Sequence, residues 1–555
     1  MKRNYLKKLL ALGMVSSMIF SLITGCTKEK EAVTLTAAEE MIKLNESNPL
    51  NIVDDKYGTF YEVFVYSFCD SDRDGVGDIQ GLISKLDYIN DGDSSTTTDL
   101  NCNGIWLMPV NPSPTYHKYD VTDYYGIDEE YGTLDDFKEL IEECHKRGIK
   151  VIMDMVMNHS SSEHPYFKTA VEYLKTLADD EEPDPTVCPE VSYYNFTKTA
   201  LSGYSNVSGT DWYYEARFWS GMPDFNLDNE AVRQEFKDIA AYWLDMGVDG
   251  FRMDAVTSYY TGADDSNIEA LAWFNDAVKE INPDAYIVAE CWTDYTTYAK
   301  YYKSGIDSLF DFDFSNNSGT IAKVVNGRSS AYAYANAIIS HEELYASYSS
   351  SYINAPFYSN HDMGRSAGYY AGDTAEAKTK LGAALNILMS GNVFIYYGEE
   401  LGMKGSGIDE NKRGAMYWSK DEDAEGMCDG PENIEDIEQK YDSYEEQSES
   451  NESIYTYYKQ AIRLRNSFPV IGRGTTTLLE DISSKTICAY TKTSDDYDSV
   501  LIIFNTGTEE ETIDLSAYTD EYSTLSGMLI TGDTTATLKD NTLTLPSYGL
   551  VILTK

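Results

Sequence analysis

Four apolar runs in this chain end in groups that could do chemistry. KVIMDMV leads into Asn158 and His159, GVDGFRM into Asp254, AYIVA into Glu290, and APFYS into His361 and Asp362. An unpaired charge at the end of a buried strand is costly to desolvate, so these groups need partners or a task. A carboxylate beside a second carboxyl group can work by double displacement, one attacking and the other serving as acid and then as base. Five short stretches carry these groups in order: DMVMNH at 154–159, MPDFN at 222–226, GFRMD at 250–254, AECW at 289–292 and SNHD at 359–362. Arg252 stands two residues before Asp254 and so shares its strand face. A guanidinium there keeps the carboxylate ionised and oriented. Glu290 is flanked by Ala289, Cys291 and Trp292, apolar neighbours that raise a carboxyl pKa and keep it protonated.

Bringing such strand ends around one centre is what a parallel (β/α)8 barrel does, with its active site at the C-terminal ends of the strands. After residue 58, eight strand-like runs alternate with helical patterns, at 59–68, 103–109, 149–156, 247–253, 285–290, 307–314, 355–360 and 392–398. Helical stretches such as 134–147 and 230–245 fall between them, and a helix at 454–467 closes the set. This βαβ alternation predicts an α/β fold, a (β/α)8 TIM barrel over 58–159 and 222–469. The gap between the third and fourth strands is too long for one helix, so 160–221 is expected as an inserted, irregular subdomain beside the site. Residues 402–452 form a second long, acidic excursion, expected as a mobile loop. From 470 to 555, short strands such as TICAYTKT, SVLIIFNT and GLVILT predict a C-terminal antiparallel β-sandwich.

The balance of 43 Lys and Arg against 92 Asp and Glu gives a net charge of −49. That argues against nucleic acid and anionic substrates, and suits a neutral ligand and divalent cations. The 46 Tyr, 19 Phe and 7 Trp supply flat faces that match the apolar side of a sugar ring. At the N-terminus, a basic MKRNYLKK and an apolar run end in ITGC at Cys26. This resembles a bacterial lipobox, so residues 1–25 are expected as a lipoprotein signal peptide and 26–57 as a tether. Lipidation of Cys26 would hold the protein on the outer face of the cell membrane. The other seven cysteines are scattered without a CxxC, which points to buried free thiols and not to zinc. The loop DSDRDGVGD at 70–78 resembles the start of an EF-hand loop. Its Asp70, Asp72, Asp74 and Asp78, with the Val76 carbonyl, could encircle Ca²⁺, because so many carboxylates repel one another without a cation.

The ordered motifs resemble the α-amylase family of retaining glycoside hydrolases, glycoside hydrolase family thirteen, over nearly the whole chain from about residue 57. MPDFN is close to the pattern between neopullulanases and oligo-1,6-glucosidases, and AECW resembles the amylase and neopullulanase side. The resemblance implies that Asp254 is the nucleophile, Glu290 the acid/base, and Asp362 the third carboxylate, holding the distorted sugar's hydroxyls. It implies that His117, His159 and His361 hydrogen-bond the central sugar and that Tyr119 stacks on it. Asp120 and Arg252 join them as substrate-binding residues, and Asp154 orients Arg252. Asn158 matches a ligand of a different calcium site, but Thr257 and Ser258 stand where many α-amylases have Lys-His. Sugar contacts on the leaving-group side must therefore come from elsewhere.

The expected activity is hydrolysis of α-1,4 bonds in starch or maltooligosaccharides, with tolerance for α-1,6 bonds. The same intermediate also serves a 4-α-glucanotransferase or a trehalose synthase. A catalytically dead starch-binding protein would lack the nucleophile, the acid or the arginine, and all three are present.

Overall fold

A computed structural model describes residues 35–555; the expected signal peptide and Cys26 lie outside the described residues. Eight parallel strands build the barrel: β1 (Thr59–Val63), β2 (Gly104–Leu107), β3 (Lys150–Met155), β7 (Gly250–Met253), β8 (Tyr286–Ala289), β9 (Ser308–Asp311), β10 (Ile353–Pro356) and β11 (Val393–Tyr396). β11 pairs with β1, and a single bridge between Phe357 and Phe394 joins β10 to β11. Every one of the eight expected strands is present, though shorter. The first ends at Val63 and passes into a helical turn, and the seventh begins two residues early, at Ile353. Burial on both faces is why these runs are almost continuously apolar.

The barrel is filled by Phe60, Trp106, Ile152, Tyr286, Val288, Phe310 and Phe394, among others. Phe60 stacks between Tyr286 at 5.3 Å and Phe394 at 4.9 Å. Its partner across β1–β2 is Gly104, where a Cβ would fall 2.4 Å from the Phe60 ring. The outer helices follow their sequence signals. Leu134–Lys146 starts at a Thr133–Asp136 capping box and buries Phe137, Leu140, Ile141 and Cys144. Glu230–Asp245 is capped by Asn229 and buries Val232, Phe236, Ile239, Ala240 and Trp243.

Between β3 and β7, the insertion carries the helix Pro165–Leu174 and a small antiparallel sheet of β4 (Phe196–Thr197), β5 (Tyr204–Asn206) and β6 (Tyr213–Glu215). The C-terminal region forms two antiparallel sheets. The larger has the order β12 (Thr475–Leu478), β13 (Ile487–Thr493), β14 (Val500–Asn505), β19 (Leu550–Thr554), β16 (Thr524–Leu529). Lys492 on β13, fully buried, donates to Thr476 at 2.7 Å and reaches Glu342 on the barrel helix Ala333–Tyr348 at 3.3 Å. All seven cysteines among the described residues are buried and free.

Two expectations change. The tether includes a docked helix, Ala37–Glu46, because its Met41 and Asn45 find a partner surface. Asn45 exchanges both amide bonds with the Met528 backbone, at 2.9 and 3.0 Å, and its carbonyl accepts from Arg463. The 402–452 excursion is anchored rather than loose: Asn411, Arg413, Met416 and Trp418 are buried, and Trp418 donates to the Phe68 carbonyl at 2.6 Å.

Candidate active site

β3 and β7 pair with Asp154 opposite Arg252, so the register itself sets a carboxylate beside the guanidinium. Arg252 Nη1 lies 2.7 Å from Asp154 Oδ1 and 2.9 Å from Asp254 Oδ1, while its Nη2 lies 3.1 Å from Glu290 Oε2. One buried cation thus binds three carboxylates that come from three adjacent strands. Its plane is flanked by the Trp106 ring at 5.1 Å and the Tyr119 ring at 5.8 Å. Trp106 Nε1 and Tyr119 OH both donate to Asp154 Oδ2, at 3.3 and 3.0 Å, which fixes the orienting carboxylate in turn. Ala255, immediately after Asp254, has φ +46 and donates its N–H to Glu290 Oε2 at 3.1 Å. Strained backbone of this kind is sustained where the surroundings over-determine it.

The carboxyl groups are driven apart electrostatically. Burial, reinforced by the charges of Asp254 and Asp362, pushes Glu290 up to about 7 against the pull of Arg252. Burial also pushes Asp154 up to about 6. At Asp362 burial acts in the same direction, but His361 and Arg413 outweigh it and hold the group well below the usual carboxylate range. His361 is buried, which would lower it, yet Asp362 and Glu62 raise it to about 9. Its Nδ1 bonds Glu62 Oε1 at 2.6 Å, and its Nε2 faces Tyr119 OH at 2.8 Å and Asp362 Oδ2 at 3.2 Å.

Over these groups opens a cavity of about 350 Å³ lined by His117, Tyr119, His159, Asp254, Glu290 and Asp362, all expected from sequence. Burial lowers both lining histidines, His117 to about 4, so each is neutral and can donate or accept. Among the described residues His159 Nε2 has no hydrogen-bond partner. The remaining expected substrate contacts lie behind the wall. His361 and Arg252 are 1 % exposed and Asp120 2 %, and none of the three lines the cavity. Asp120 accepts from Ser113 and Thr115 and so fixes the loop that carries His117 and Tyr119. Asn158 donates to Asp224 Oδ1 at 3.2 Å, tying DMVMNH to MPDFN.

Sequence reasoning missed several wall residues. Arg413 donates to Asp362 Oδ1 at 2.9 Å, to the His361 carbonyl at 3.2 Å and to Tyr116 OH at 3.1 Å. It comes from the acidic excursion, together with Asp409, and the only hint was a basic residue in an acidic run. Phe218 and Trp219 enter from the insertion directly before MPDFN, and each is about half exposed. Trp292 stacks on Phe312 at 5.1 Å with about half its surface free. With Thr257 and Ser258 they give the rim an aromatic and hydroxyl character.

In the 70–78 loop, carboxylate oxygens of Asp70, Asp72 and Asp78 lie within 4.8 Å of one another. An all-oxygen, anionic donor set fits Ca²⁺. Asp70 also accepts from the Arg73 and Gly75 amides, and Asp78 caps the helix Ile79–Ser84. Asp74 Oδ1 accepts the Val76 N–H at 2.8 Å, and Asp74 is not among the three residues whose oxygens meet.

The family description "Alpha amylase, catalytic domain" matches residues 62–474, and "Alpha-amylase SusG C-terminal domain" matches 487–552. Alpha-amylase 3 of Dictyoglomus thermophilum is 34 % identical over 476 residues, 83 % of this chain and 87 % of its own. Alpha-amylase SusG of Bacteroides thetaiotaomicron is 26 % identical over 88 % of this chain and 91 % of its own. The solved structure of Eubacterium rectale Amy13B is 51 % identical, with a TM-score of 0.90, over 94 % of this chain and 99 % of that one. Barrel, carboxylate cluster and these matches agree: the chain belongs to the alpha-amylase family of glycoside hydrolases.

Proposed function

We propose that this enzyme is a retaining α-glucan hydrolase that cleaves α-1,4 bonds of starch or maltooligosaccharides, with some tolerance for α-1,6 branches. The observation that carries the reading is Arg252 joining Asp254 and Glu290, with Glu290 raised by burial to about 7. Asp254, bound to the guanidinium, attacks the anomeric carbon. Glu290 gives its proton to the leaving oxygen, then removes one from the incoming water. Asp362, held anionic by His361 and Arg413, accepts hydroxyls of the distorted sugar. Tyr119 offers its ring to that sugar, and neutral His117 and His159 offer donors. Arg252, His361 and Asp120 act through these groups as positioning residues. Phe218, Trp219 and Trp292 receive the leaving-group side of the chain, where this sequence lacks Lys-His.

The test is a reducing-sugar assay on soluble starch with Asp254→Asn and Glu290→Gln as controls. Each substitution is expected to cost orders of magnitude in kcat with the fold intact. NMR within the first minutes is expected to find the α-anomer. Near-wild-type turnover of either variant, or a β-product, overturns the assignment.

Ca²⁺ would be held by Asp70, Asp72 and Asp78, where it neutralises clustered charge and pins the loop after β1. The N-terminal ITGC supports a lipid anchor at Cys26 on the extracellular face of the membrane. Cys26→Ala is expected to move the protein out of the membrane fraction or to block its maturation, and an unchanged fraction argues for another attachment.

A further inference from the structure

A second cavity, of about 290 Å³, shares no lining residue with the active-site cavity. It lies between the loop after β2, the insertion helix Pro165–Leu174 and the barrel helix Glu230–Asp245. Tyr125, Tyr166 and Tyr193 stand half-buried in its wall. The Tyr166 and Tyr193 rings meet edge to face at 5.3 Å. Glu235 sits among them. Tyr125 donates to its Oε1 at 3.1 Å. Asp123 is exposed at the margin. His164 accepts the Tyr166 N–H on Nδ1 at 3.2 Å, and burial keeps its ring neutral, so Nε2 carries the proton and is a donor.

We propose that this cavity is a second α-glucan site, binding a hexose unit of a chain outside the catalytic centre. The proposal rests on the α-glucan reading above. The partly exposed tyrosine faces match the C–H side of a sugar ring. Glu235 and Asp123 accept from its hydroxyls, and His164 donates to one. Among the described residues no lysine or arginine lines the cavity, so an anionic ligand would find no counter-charge there. The volume is at the small end of ligand pockets, which suits one end or one turn of a chain rather than a large cofactor. The two sites stand back to back. MPDFN gives Met222 to the catalytic cavity and Phe225 to this one. Tyr124, in this wall, donates to the carbonyl of His159, which lines the other, at 2.7 Å. A long chain held here stays beside the catalytic centre, whereas a short substrate meets the centre alone.

The experiment uses Tyr166→Ala and Glu235→Gln in the full protein, with two readouts. The first is kcat/KM on an aryl maltotrioside, which reports on the catalytic centre. The second is mobility in native gels containing amylopectin, run in a Glu290→Gln background so that the polysaccharide survives. Both variants are expected to keep kcat/KM within about twofold while the apparent affinity for amylopectin falls roughly five- to tenfold, the scale of one lost ring contact. Unchanged retardation in both variants overturns the site. So does a proportional loss on the short substrate, or no retardation of the parent protein. If the parent cleaves the maltotrioside, the hydrolase reading survives that failure; if it does not, both readings fall.

Discussion

The raised pKa of Glu290 has a measurable consequence. An exposed glutamate titrates near 4.3, and Glu290 titrates at about 7 because it is buried beside Asp254 and Asp362. At pH 7 half of the molecules then hold the acid form. Without the shift only about one in five hundred would. The difference corresponds to roughly 3–4 kcal/mol between the two protonation states. The basic limb of kcat/KM is therefore expected to turn near pH 7 and then fall tenfold per pH unit. Asp254→Asn removes one of the neighbours that raise the group, so the Glu290 carboxyl, followed by ¹³C NMR in that variant, is expected below about 7. It should remain above the free value, because burial is the largest cause. The same linkage acts on stability. A carboxyl that binds its proton more tightly when folded contributes stability at low pH, and loses it as pH rises from the free value through about 7. A basic limb absent up to pH 9, or a Glu290 that titrates near 4.3 in Asp254→Asn, would refute the reasoning.

Three further outcomes follow. Arg252→Met leaves Asp154, Asp254 and Glu290 without their shared cation, and thermal melts are expected to fall by about 3–5 kcal/mol of stability; an unaltered melt contradicts the shared-charge picture. Chelation is expected to lower the melting temperature more than kcat, and Asp70→Ala to copy it while Asp74→Ala does not, since only Asp70 belongs to the oxygen cluster. Equal responses of the two variants, or no response to chelator, would reject that cluster as the cation site. Met41→Ala is expected to destabilise the enzyme by about 2–5 kcal/mol, as for a buried side chain, whereas a truly loose tether would leave the denaturation midpoint unmoved.

By itself the sequence determined the eight strands, their alternation with helices and the strand ends that carry Asp154, Asp254 and Glu290. These are local signals: an apolar run buried on both faces reads the same in any context, and the residue that follows it must emerge at the barrel mouth. The same locality explains why the capped helices Leu134–Lys146 and Glu230–Asp245 were legible to within a residue. Which side chains face the cavity was decided only by the tertiary structure. Asp120 and His361 sit inside the expected motifs, yet they turn into the protein because Ser113, Thr115 and Glu62 wait there as partners. Arg413 reaches Asp362 from a segment whose composition reads as solvated loop, and Ala37–Glu46 is a docked helix because Met528 and Arg463 receive it from the far end of the chain. Except for those of Asp120, which reach only five and seven residues back, these contacts join residues tens to hundreds apart. For the distant pairs no window of sequence contains both partners, so burial and hydrogen bonding, not spacing, choose between cavity wall and support.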